Sequence, residues 1–382
     1  MLRFLTAGES HGPAQVTIVE GLPAGLEVDA AGLAAELARR RLGHGRSKRM
    51  AIEEDRVEIV GGVRFGRTLG GPVAVLVHNT EWPRWQEEMA IGPGETDKPL
   101  RSPRPGHADL SGMLKYDTHD ARDILERASA RETAARTVAG HLAHRLLGEV
   151  GIEVLSHVVA IGTVTAADLR PGPENRDAID ASPVRVFDRS VEAAMVAAID
   201  AAHDARDTVG GVVEVLGFGV PAGVGSHVQW DRRLDGNLAR AMMSIPAVKA
   251  VEIGAGWALA ATAGSVAHDE IEYGREGFHR STDRAGGIEG GMSTGQTIRV
   301  RLAAKPLSTL MRPLATVDVV TKEAAEAFRE RSDVCAVPAT GVVAEQAMAW
   351  VLAVEVGRMF GGDTVGDLRS AAAAYRARLA GF

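Results

Sequence analysis

The densest chemical signal in the sequence is cationic: Arg39, Arg40, Arg41, Arg46, Lys48 and Arg49, with His44, all fall within residues 39–49. Arginines at a helix end can simply complement its C-terminal dipole, and a cationic run is usually a solvated face. Against that reading, Gly43 and Gly45 interrupt the run and let the chain fold back so that guanidinium groups converge. A guanidinium fork matches carboxylate and phosphate oxygens, so the cluster suits a polyanion site. A second basic group, Arg101, Arg104 and His107 in RSPRPGHAD, lies in a Pro/Gly loop, the setting in which functional side chains are often presented. A third, Arg127, Arg131 and Arg136, surrounds Ser-Ala-Arg-Glu (129–132), which reads as a capping box. The free N–H groups of such a helix start would attract an anion, although plain capping with exposed arginines gives the same pattern.

Three more segments complete the chemical inventory. Gly286, Gly287, Gly290 and Gly291 in DRAGGIEGGMSTG, followed by Lys305, Pro306, Leu307, Ser308 and Thr309, would let backbone approach a flat or charged ligand. A tight hairpin explains the same glycines, and neither GxGxxG after a first strand nor GxxxxGK[ST] is present. In GESHG (8–12), His11 sits in a glycine-flanked turn, and an imidazole titrating near neutrality suits proton transfer. This is not the GxSxG nucleophile elbow. Arg331-Ser332-Asp333 sets a cation beside a carboxylate, which can also be an ordinary surface pair.

The elements that must position these groups are partly readable. A helix that Asp29 can cap runs through Leu33 and Leu37 to Leu42, with Gly43 as its terminator. Another begins at Ser129 and continues with Ala134, Ala135, Val138, Leu142 and Leu146. Helical periods also appear at 191–202, 322–330 and 342–360, and strand-like runs at 57–60, 73–77, 211–216 and 298–302. Their irregular interleaving favours α+β over a doubly wound sheet. Stretches 92–106 and 165–183 read as surface loops inserted into a single domain, 1–382.

Composition bounds the function. With 45% hydrophobic and 24% charged residues the chain is globular, and 4% aromatics with a formal charge of −7 argue against a nucleic-acid partner. No secretory h-region and no bilayer-spanning run is apparent, so a cytoplasmic protein without a membrane partner is expected. The single cysteine, Cys335, excludes an intrachain disulfide and a cysteine-built metal site, and no metal is expected.

Taken together, seven segments resemble the chorismate synthase family in order and spacing: GESHGPAQVTIVEGLPAG (8–25), RRRLGHGRSKRM (39–50), RPGHAD (104–109), ERASARETAARTVAG (126–140), RAGGIEGGMSTGQ (284–296), KPLST (305–309) and RSDVCAVPATGVVAE (331–345). The resemblance implies a β-α-β sandwich with long helices between antiparallel sheets, usually a homotetramer. It implies a lyase that removes phosphate from 5-enolpyruvylshikimate 3-phosphate (EPSP) by anti 1,4-elimination. Reduced FMN would lend and recover an electron, and NADPH would keep it reduced through a separate reductase. By position, Arg40, Arg46, Arg49, Arg104 and Arg131 resemble the substrate-anion clamp, and Arg40 and Arg46 also match the family's NADP positions. Arg127, Ala128, Ser129, Pro246, Ala247, Gly290, Lys305, Pro306, Leu307, Ser308, Thr309 and Arg331 match its FMN contacts. His11 and His107 resemble its proton-transferring histidines, and Asp333 the carboxylate assisting proton removal at the flavin N5. Pro246 stands where the family usually has Gln, and Asp283 where Asn is common. Two other readings stay open from the residues alone: an NADPH-dependent flavin oxidoreductase and a non-catalytic polyanion-binding module.

Overall fold

Val73, Val75 and Val77 are fully buried while Ala74 and Leu76 between them are partly exposed, the period of a strand with one face on a core. In the computed structural model, which describes residues 2–47, 55–275, 277–330 and 332–382, these valines lie in the first of two main sheets. It comprises β1 (Arg3–Ala7), β2 (Ala14–Glu20), β3 (Val57–Gly61) and β4 (Val73–His78), antiparallel in the order β1-β2-β4-β3. The second comprises β5 (Glu153–Ile161), β6 (Val164–Thr165), β7 (Gly211–Phe218), β8 (Val248–Ile253) and β9 (Ile298–Ala304), antiparallel in the order β8-β9-β7-β5-β6.

Helices fill the space between them. The main ones are α1 (Ala30–Arg41), α2 (Asp109–Tyr116), α3 (Arg122–Ala128), α4 (Glu132–Gly148), α5 (Glu192–Asp204), α6 (Leu234–Met243), α7 (Val337–Phe360) and α8 (Val365–Ala380). The first sheet rests on α4, α4 packs along α7, and α7 lies on β5 and β7 of the second sheet. The Thr17 hydroxyl donates to the Ala135 carbonyl at 2.9 Å, tying β2 to α4. Gly140 is needed where α4 meets α7, since a Cβ there would lie 2.3 Å from that of Gln346. One continuous buried cluster draws on both sheets and these helices, so the expected α+β sandwich is borne out.

The junction of α1, α7 and the second sheet is ionic. Glu345, fully buried, accepts from Arg39 at 3.0 Å, Arg176 at 3.2 Å and Arg185 at 2.9 Å, and from the Ser156 backbone N–H at 2.9 Å. Burial alone would raise this carboxyl, but the three guanidinium groups hold it far below the usual range.

Four sequence expectations are corrected. Ser129 does not cap α4: it closes α3, and its hydroxyl accepts from Arg131 N at 3.3 Å, while Glu132 turns to Arg136. Two helices abut there, and a local motif cannot tell the end of one from the start of the next. Residues 322–330 are not helical, because Ala324–Glu326 pairs as a strand with Ala315–Val317 and that pairing overrides helix propensity. The helix expected at 342–360 begins earlier, at Val337, with Pro338 in its first turn, where a missing N–H costs nothing. Finally, α7 is by length and composition apolar enough to cross a membrane, contrary to the sequence reading, but 83% of its most apolar window is buried inside the molecule. A helix hydrophobic all round is what a core between two sheets requires.

Candidate active site

Consecutive residues on a helix point about 100° apart, so Arg39, Arg40 and Arg41 at the end of α1 cannot share a destination. Arg39 enters the Glu345 cluster, Arg41 approaches Asp55 at 3.7 Å, and Arg40 reaches a cavity of about 1080 Å³. Ends of many elements converge on this cavity. Ser10 and His11 come from the β1–β2 turn, and Arg46 and Ser47 from beyond α1. Arg104 and His107 precede α2, while Ala128, Ser129 and Arg131 stand at the α3–α4 junction. Pro246 and Ala247 link α6 to β8; Lys305, Leu307, Ser308 and Thr309 follow β9; Asp333 precedes α7. The glycines prove structural necessities of this convergence. Gly8 has φ +107°, and a Cβ on it would lie 2.3 Å from the Ala14 carbonyl oxygen. Gly45, at φ +80°, accepts from Val334 N at 2.8 Å and so brings Arg46 beside Asp333.

Each histidine is anchored by a buried carboxylate. His11 Nδ1 lies 2.7 Å from Glu126 Oε1, its backbone N–H donates to Glu126 Oε2 at 2.8 Å, and its ring lies over Trp85 with centroids 3.9 Å apart. Burial opposes the Glu126 charge, but the hydrogen bonds and charge of His11, with Arg122, hold the carboxyl below its usual range. His107 Nδ1 makes a short contact with Asp109, which is fully buried. Asp109 also accepts from Arg104 through Nε at 2.8 Å and Nη2 at 3.1 Å. Burial would push Asp109 up, yet these bonds with His107 and Arg104 bring it down to about 2. Arg104 further donates to Thr309 Oγ1 at 2.8 Å.

The cavity is positive in a negative chain. Its lining carries ten Lys or Arg side chains against four Asp or Glu, so among the described residues the wall is cationic. Burial pulls the Arg40 and Arg46 guanidinium groups below their ordinary range, and the Nε of each is buried without a hydrogen-bond partner among the described residues. Arg46 pairs with Asp333 at 2.7 Å, whereas Arg40 has Asp55 only at 3.5 Å. Lys305, likewise lowered by burial and then by Lys249, donates to the Gly106 carbonyl at 3.0 Å. A multiply charged anion would relieve this unsatisfied positive charge. Leu125, Ile245, Val248, Leu307 and Val343 give the same cavity an apolar portion able to receive a flat ring.

Some predicted residues lie elsewhere. Arg127 is outside the cavity lining, its guanidinium donating to the Gly8 carbonyl at 3.2 Å and the Thr6 carbonyl at 3.1 Å, which braces the turn that bears His11. Gly290 is at the tip of the Ile288–Glu289/Met292–Ser293 hairpin, away from the lining, so within this chain the glycine-rich run serves a tight turn. Pro306 lies between lining residues but not among them. Asp283 is likewise outside, paired with Arg170 at 2.9 Å and raised by burial. Arg49 and Arg331 fall outside the described residues. Sequence reasoning missed Trp85, Glu126 and Arg122, and gave Asp109 no role. An Arg122–Glu126 pair at i,i+4 looks like any surface ion pair, and only the depth of the helix distinguishes it. Cys335 is buried and its thiol is raised to about 11, the behaviour of a small core residue.

The chorismate synthase family model matches residues 2–356. The chain belongs to the chorismate synthase family. It is 58% identical to the chorismate synthase of Salinispora tropica and 58% identical to that of Acidothermus cellulolyticus, each alignment covering 98% of both chains. A relative from Nocardioides sp., named chorismate synthase, is 56% identical over 98% of both. A crystal structure of chorismate synthase superposes with a TM-score of 0.80 at 37% identity, over 100% of this chain and 99% of that one. The helices held between antiparallel sheets are thus the chorismate synthase fold. The chain is an enzyme, a lyase of the shikimate pathway, and membership implies a small-molecule substrate and a flavin.

Proposed function

We propose that the cationic cavity binds EPSP beside reduced FMN and that the chain eliminates phosphate to give chorismate. The observation that carries this reading is the pair of buried, incompletely partnered guanidinium groups, Arg40 and Arg46, facing the same cavity as two carboxylate-anchored imidazoles. EPSP bears two carboxylates and a phosphate, and an anion of that kind needs several cations in a shielded cleft. Arg40, Arg46 and Arg104, with Arg49 and Arg131, form its clamp. Ala128, Ser129, Pro246, Ala247, Lys305, Leu307, Ser308 and Thr309 would hold FMN, and the family likeness adds Arg331 together with Arg127, Gly290 and Pro306, three residues outside the lining of this chain's own cavity. When bound, reduced FMN supplies an electron that the elimination borrows and regains.

The chain's own residues move the protons. His11 donates to the departing phosphate, His107 sets the protonation state of the reduced flavin, and Asp333, held by Arg46 and the Ser47 N–H, assists removal of the C6 hydrogen. Arg40 and Arg46 also meet NADPH, with a separate reductase returning the flavin to its reduced form. We read the chain as a single domain with inserted loops, cytoplasmic and homotetrameric, with no nucleic-acid or membrane partner. An anaerobic assay with EPSP and chemically reduced FMN, following phosphate, chorismate and NADPH together, tests the function. Equal release of phosphate and chorismate without consumption of NADPH is expected. Reductant consumed in step with product would mean an oxidoreductase, and salt-sensitive binding with no turnover would mean a polyanion-binding module.

A further inference from the structure

The geometry points to Glu126 as the positioning residue that fixes the tautomer and orientation of His11. The inference rests on the reading of His11 as the proton donor. The two oxygens of one carboxylate hold two parts of the same residue: Oε2 accepts the His11 backbone N–H at 2.8 Å and Oε1 meets ring Nδ1 at 2.7 Å. Rotation of the ring breaks the second contact while the first persists, so the imidazole is tethered to its own main chain. Trp85 limits the remaining freedom, its ring centroid 3.9 Å from that of His11 with the planes 30° apart. A carboxylate on Nδ1 keeps a proton there in the neutral imidazole, which leaves Nε2 to gain and release the working proton.

Glu126 is held ready for this task by a second partner on the oxygen that meets the ring. Arg122, one turn earlier on α3, donates to Oε1 at 2.9 Å and lies 5.0 Å from the Trp85 ring centroid. Glu330 at 3.2 Å and Glu88 at 3.8 Å engage the same guanidinium, so Arg122 is fixed by three carboxylates while it supports one of them. Glu126 is itself 4% exposed and is not part of the cavity lining, which separates it from substrate binding.

E126Q and H11A, each in the full chain with reduced FMN, test the inference. The Gln side chain keeps an acceptor for the His11 N–H but can offer N–H to Nδ1, which favours the wrong tautomer. We expect kcat for E126Q to fall about 10- to 100-fold with KM for EPSP nearly unchanged, and E126D to recover part of the loss. A Glu126 that only braces the loop would instead lower melting temperature or raise KM with kcat intact, and that result overturns the inference. Undiminished turnover in H11A overturns the reading of His11 beneath it, whatever E126Q does. Should E126Q fail to fold, imidazole 15N shifts of the wild-type chain, assigned by the signals lost in H11A, decide the matter. A neutral His11 protonated at Nδ1 is expected, and protonation at Nε2 refutes the role.

Discussion

Asp109 binds two cavity residues at once, so its removal should be felt in both chemistry and stability. D109N leaves His107 without its carboxylate and Arg104 with a weakened partner, and turnover should drop about 10- to 100-fold in steady-state assays. Asp109 is brought from 3.8 down to about 2, so in the folded state it resists protonation. A depressed carboxyl contributes stability above its unfolded value and loses it as pH falls through the folded one. The stabilisation, about 2 kcal/mol, should therefore be full above roughly pH 4 and fade toward pH 2. Urea unfolding of wild type and D109N across that window should show curves that converge as pH falls; a constant gap would contradict it. At this scale, His11, His107 and Arg46 were legible because glycines or prolines set them apart from regular structure, and Arg40 because it falls in a run of arginines at a helix end. Asp109 and Glu126 were not, since an acid within or just before a helix has many uses and only burial reveals which one applies.

The Glu345 cluster decides how α1 and α7 meet. E345A would leave the fully buried Arg185 with Asp180 as its remaining carboxylate and Ser156 as a neutral acceptor, beside an Arg176 that has lost its carboxylate partner. Breaking a buried ion network by deleting its hub costs about 3–5 kcal/mol, so chemical denaturation should show a loss of that order. A change below about 1 kcal/mol would mean that water enters and replaces the carboxylate. Element by element, the alternating valines of β4 and the apolar period of α4 were plain in sequence, because burial on one side imposes a period. The 322–330 segment misled because its Ala, Glu and Lys content suits a helix while its pairing with Ala315–Val317 depends on residues outside any local window. β1, β2, β5 and β8 went unremarked, and β5 is buried along nearly its whole length, which removes the alternation that marks a strand.

Over the whole molecule, charge is divided: a chain of net charge −7 carries a cavity whose charged lining is mostly cationic. Such a field draws an anionic substrate toward the cleft and is screened by salt, so kcat/KM should fall as ionic strength rises from about 0.01 to 0.5 M while kcat changes little. Stopped-flow binding or initial rates across that range would check it, and salt-independent kcat/KM would show that the surrounding acids cancel the attraction. The overall fold was legible through a likeness of ordered motifs rather than from periodicity, which could suggest α+β but not which layer lies between which. One consequence concerns biogenesis. The helix Val337–Phe360, which with α4 separates the two sheets, is translated after every strand of both, and the wall of the cavity from Ser332 to Val343 arrives with it. A nascent chain paused before that point has its first sheet covered by α4 but leaves α4 and the second sheet without the helix that packs between them, a natural client for chaperones, and the cavity wall closes only once that segment has emerged.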